Sequence, residues 1–112
     1  MENNIRNLEL NPLLDQWKNC RSQLWQFNVG HSILFIRLYR DESVASLFLK
    51  CDATYQISCL SLWKNAHLQI METNKTDGQG RYRVYDRNSD NFIRCGILTA
   101  DICDFDKWVS FT

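Results

Sequence analysis

The chain has 112 residues, 45% of them apolar and 23% charged, and its 13 basic and 13 acidic side chains cancel to a formal net charge of zero. This length fits a single domain, residues 1–112, able to bury about two-thirds of its unfolded surface without metal or disulfide support. Balanced charge argues against duplex DNA as the main partner, since such proteins carry a basic excess, and no apolar run approaches the roughly 20 residues of a membrane-spanning helix.

Residues 1–11 read as a polar lead-in with a short turn near residues 5–10 and no apolar stretch of the secretory type. The five cysteines (Cys20, Cys51, Cys59, Cys95, Cys103) are odd in number and contain no Cys-x-x-Cys spacing. The expectation is a cytoplasmic protein whose reduced thiols act as small hydrophobes.

Asn11-Pro12 is a helix start, with Asn as N-cap, Pro at the first helical position and Asp15 on the favourable side of the dipole. Leu13, Trp17, Cys20, Leu24 and Phe27 follow at helical spacing. The spacing predicts one helix over residues 11–28, closed by Gly30. Apolar alternation then runs from Ser32 to Leu98 and predicts about six strands. One face reads Leu34, Ile36, Leu38; Leu47, Leu49, Cys51; Tyr55, Ile57, Cys59; Leu68, Ile70; Tyr82, Val84; Ile93, Cys95, Ile97. Turns fall at Asp41-Glu42-Ser43, at Asp52-Ala53, in the polar stretch 73–80 with Asp77-Gly78 and Gly80, and over residues 87–91. Residues 60–65, with Trp63, read as a less regular connection. The tail from Thr99 is Asp-rich and aromatic, and its pattern does not decide between helix, strand and arm. Connections this short leave no room for crossover helices, so the sheet should be antiparallel and largely a meander. The predicted architecture is α+β: one N-terminal helix packed on the aliphatic face of that sheet.

Motifs for chemistry are weak. His31 and His67 are the only histidines; Ser32 adjoins His31, but no nucleophile elbow is present. The cysteine spacings do not make a zinc site, and Asp101, Asp104 and Asp106 lack the Gly and distal Glu of a calcium loop. Asp77-Gly78-Gln79-Gly80 lacks the Lys-Ser/Thr ending of a phosphate loop. No catalytic residue, metal or cofactor is assigned.

The positions opposite the aliphatic face are rich in arginine and aromatics: Phe35, Arg37, Tyr39, Arg81, Arg83, Tyr85, Phe92 and Arg94. On one sheet face these residues suit a protein interface, where such side chains are enriched. The expectation is a non-catalytic interaction module that binds a protein partner or a second copy of itself through this face. Single-stranded nucleic acid or a small anionic ligand are the alternatives for the same face, and a small enzyme with a histidine base is a third class.

Overall fold

The strongest alternation in the sequence forms the centre of the molecule. In the computed structural model, which describes residues 5–73 and 81–104, β2 (Ile33–Tyr39) and β3 (Ala45–Asp52) pair antiparallel. Leu34, Ile36 and Leu38 stand opposite Cys51, Leu49 and Leu47, and all six are buried. At about 1.5–3 kcal/mol for each large apolar side chain removed from water, this patch anchors the fold.

The long helix is not formed. A 3-10 turn, Asn7–Leu10, leads into α1, Asn11–Gln16, which closes at Trp17, whose N–H donates to the Leu14 carbonyl at 3.0 Å. Arg40 donates to the carbonyls of Gln16 and Lys18 at 3.0 and 2.8 Å and blunts the helix end. Asn19 then takes a left-handed φ of 62° and the chain leaves as β1 (Cys20–Asn28). Its pairing with β2 slips between Leu24 and Gln26, so Trp25 is an extra residue in a bulge. A bulge resets strand parity; Cys20, Leu24 and Phe27 therefore fit a bulged strand as well as a helix. Ladder bonding to β2 on one side and β5 (Leu62–Ala66) on the other decides the contest. Gly30 lies in the β1–β2 turn rather than at a helix cap.

In place of the single sheet of about six strands, the described residues form nine strands in two sheets. The first has the order β5-β1-β2-β3-β9, with β9 running Ile97–Asp104. Thr99 to Asp104 of the ambiguous tail are thus strand, while Asp106 lies outside the described residues, as do Asp77, Gly78 and Gly80. The second sheet has the order β4-β8-β7-β6, formed by β4 (Gln56–Ser58), β6 (Leu68–Glu72), β7 (Tyr82–Asp86) and β8 (Phe92–Cys95). All pairings are antiparallel. The protein is broadly α+β and mostly sheet.

The two inner faces share one core, in which Leu34, Ile36 and Leu49 of the first sheet meet Ile70, Val84 and Ile93 of the second. A second sheet, not a helix, therefore covers the aliphatic face. At Gly96 the chain passes from one sheet to the other, and parity shifts: Cys95 and Leu98 are buried while Ile97 is exposed. Gly96 donates its N–H to the Asp52 carbonyl at 2.9 Å. An added Cβ there would come within 3.1 Å of the Ala53 Cβ. Next to this crossing Cys51 and Cys95 are both buried in the core, and the neighbouring Cys95 thiol together with burial raises the Cys51 pKa. No disulfide is present. Tyr55, just ahead of β4, and Ile57 within it, both assigned by parity to the core, are exposed because β4 is an edge strand.

The N-terminal segment plugs one open side between the sheets. Leu10 and Leu14 enter the core. Arg6 bridges to Thr99, and the Leu98 N–H donates to Asn7 Oδ1 at 2.9 Å on the β9 edge. On the β6 edge the Asn11 amide acts like a paired strand residue: its Nδ2 donates to the Ile70 carbonyl at 2.9 Å, and its Oδ1 accepts the Ile70 N–H at 2.7 Å.

Candidate functional site

The eight arginine and aromatic positions do not share one surface. Phe35, Arg37 and Tyr39 lie on β2 in the first sheet; Arg83 and Tyr85 on β7, with Phe92 and Arg94 on β8, belong to the second. Alternation predicts which side of a strand a residue takes, not which sheet the strand joins. Because both sheets turn their aliphatic faces to a shared core, the two arginine sets point away from it on different sheets.

The first set is absorbed into a packed cluster. Trp25, at the β1 bulge, meets Phe48 edge-to-face at 6.0 Å between centroids. The Arg37 guanidinium carbon lies 4.1 Å from the Tyr39 centroid and 5.4 Å from that of Trp25, and its Nε donates to Ser46 Oγ at 3.0 Å. Phe48 and Ser46 are buried although they stand on the outward side of β3. Burial lowers the Arg37 pKa. This is cross-strand arginine–aromatic packing within the protein.

The second sheet keeps its outward side open. Two rows cross its four strands: Met71, Arg83, Arg94 and Gln56, and beside them Gln69, Tyr85, Phe92 and Ser58. Arg83 and Arg94 are direct register partners. Like charges directly opposite on adjacent strands repel. Each guanidinium lies on a ring, Arg83 at 3.9 Å from the Phe92 centroid and Arg94 at 5.1 Å from that of Tyr55. Among the described residues no carboxylate reaches ion-pair distance of Arg83. An open groove of about 350 Å³ runs here, lined by Met71, Arg83, Tyr85 and Phe92 on the sheet and by Ser89, Asp90 and Asn91 of the β7–β8 turn. Arg81, just ahead of β7, is spent on Glu72, Nε to Oε2 at 3.1 Å.

The groove floor ends on Asp86, which sequence reasoning missed. Asp86 is buried and accepts four hydrogen bonds: from Trp63 Nε1, from the backbone N–H groups of His67 and Asn88, and from Ser89 Oγ. It ties β5, the start of β6 and the β7–β8 turn together. The available signal was Asp86 followed three positions later by Ser89, the pattern of a side-chain-bonded turn. That pattern does not reveal burial.

Neither histidine lines the groove. His67 Nε2 lies 2.9 Å from Asp15 Oδ1, and Gln69 Nε2 donates to the same oxygen at 2.8 Å, which fastens α1 to β6. His31 sits in the β1–β2 turn, where its N–H donates to Asn28 Oδ1 at 3.1 Å. Among the described residues no group of three or more His, Cys, Asp or Glu side chains is placed to hold a metal ion, and no helix is long and apolar enough to cross a membrane. No protein-family model matches the chain, and no curated protein or solved structure matches it.

Proposed function

We propose that this chain is a non-catalytic interaction module whose second sheet receives an acidic, aromatic-bearing segment of a partner protein. The observation that carries the reading is the Arg83–Arg94 register pair beside the open groove. A carboxylate seated between two guanidiniums replaces their repulsion with charge-assisted hydrogen bonds. Phe92, Tyr85 and Met71 offer an apolar floor for a ring or aliphatic chain of the same segment. Two copies stacked through this face would set arginine against arginine, so an acidic partner is favoured over self-stacking there.

Fluorescence anisotropy of a dye-labelled capped peptide alternating Asp and Phe tests the reading. Saturable binding is expected, weakened by added salt and lost in Arg83→Glu. Equal binding of the matching Asn/Phe peptide removes the acid-binding role. Tighter binding of oligothymidylate turns the face into a single-stranded nucleic-acid platform.

A further inference from the structure

The two sides of the molecule where sheet edges lie are finished differently. The β9 and β6 edges are covered by the 3-10 turn and α1, with the Asn7 and Asn11 side chains bonded to Leu98 and Ile70. The opposite edges are β4 in the second sheet and β5 in the first. Among the described residues no strand pairs with the outer edge of either. An uncovered edge presents backbone donors and acceptors that only another extended strand can satisfy in register.

The two uncovered edges are not equivalent. At the middle of β5 stands Lys64, which would face its own copy in a symmetric pairing, and the Asn65 carbonyl is already taken by Asn88 Nδ2 at 2.7 Å. β4 and its flanks carry no charge of their own: residues 53–63 contain no Asp, Glu, Lys or Arg, in a chain that is 23% charged. Exposed apolar side chains gather in the same stretch, at Tyr55, Ile57 and Leu60. Natural edge strands are usually guarded by shortness, lysine, proline or a bulge; β4 is short, at three residues, and carries no lysine or proline.

We propose that β4 is the contact through which two copies of this chain pair, edge to edge and antiparallel about Ile57, into one continuous eight-stranded sheet. An uncharged edge meets its own image without like-charge repulsion, and two-fold pairing sets Ile57 on Ile57 and Gln56 on Ser58. Ile57 is the β4 residue on the core side, in the row of Ile93, Val84 and Ile70, so the contact extends the apolar layer across the junction. A strand of three residues gives a reversible dimer. In antiparallel pairing the two-fold axis is perpendicular to the sheet, so both outward faces remain on one side. The two Arg94 strands are then three strand spacings apart, about 14 Å, and the dimer presents two arginine sites to one partner. The pairing rests on the edge alone and stands whether or not those sites take an acidic segment.

Sedimentation equilibrium of the full chain, over roughly the micromolar to millimolar range, tests it. The expected result is a reversible monomer–dimer equilibrium that Ile57→Lys weakens by about tenfold or more and that Val44→Lys, on the exposed β2–β3 turn, leaves unchanged. A monomer throughout, or a dimer equally strong in Ile57→Lys, overturns it. If Ile57→Lys fails to fold, amide exchange on the parent protein decides: protection of the β4 amides should rise with concentration, and protection independent of concentration overturns the pairing.

Discussion

Arg83 and Arg94 face each other across β7 and β8 on the outward side of the second sheet, and each guanidinium rests on an aromatic ring, Phe92 and Tyr55 respectively. Arg37, on the first sheet, is likewise stacked on a ring, that of Tyr39, but it also donates to the buried Ser46 hydroxyl, and burial lowers its pKa. All three arginines are half-buried against rings, and what sets Arg37 apart is its bond to a buried hydroxyl.

That contrast is measurable. Arg83→Gln loses a ring contact but relieves a like-charge pair, so its stability should stay within about 0.5 kcal/mol of the parent. Arg37→Gln removes the ring contacts and disturbs the hydrogen bond to a buried hydroxyl, and should cost about 1–2 kcal/mol. Urea unfolding at low salt compares the two.

Asp86 is expected to be the most sensitive polar position. Asp86→Ala strands four donors, the Trp63 indole N–H among them, and should cost about 3–5 kcal/mol. Equilibrium urea unfolding checks this; a loss below about 1 kcal/mol would contradict the role as a hub.

The aliphatic alternation of β2 and β3 was legible in full, because each strand is regular and its buried face is unbroken from Leu34 to Leu38 and from Leu47 to Cys51. What failed were the places where parity is reset. The bulge at Trp25 made a strand look helical, and the passage at Gly96 exchanged Ile97 for Leu98 in the core. The division into two sheets was not legible either, since periodicity carries no information about which strand pairs with which. The side of the strand taken by Arg37, Arg83 and Arg94 was accordingly readable, but their division between two sheets was not. Asp86 escaped notice because a lone acid at a strand end reads as solvated until its donors, drawn from three separate segments, are brought to it.

Ile36 and Ile57 carry the same alternation signal and should respond differently. Ile36 is fully buried and Ile57 is 37% exposed. Ile36→Ala should cost about 2–5 kcal/mol, Ile57→Ala about 1 kcal/mol or less in the monomer. Thermal melts at low protein concentration separate the two.

Alkaline pH should weaken the fold through its thiols. Burial raises Cys20 and Cys59 from an ordinary 9.0 to about 11, and the neighbouring Cys95 thiol together with burial raises Cys51 as well. A raised folded-state pKa means the folded form holds its proton longer, so this stability is complete below about pH 9 and is lost as pH climbs toward about 11. Urea midpoints measured across that window should fall, and Cys20→Ala should fall less steeply than the parent.

Nuclear magnetic resonance mapping of the acidic Asp/Phe peptide on the isotopically labelled protein is the most direct test of the binding role. Saturable shifts should concentrate at Arg83, Tyr85, Phe92 and Arg94, spare Phe35, Arg37 and Tyr39, and vanish in Arg83→Glu. Absence of saturable shifts, or shifts centred on β2 and unchanged in Arg83→Glu, would contradict it.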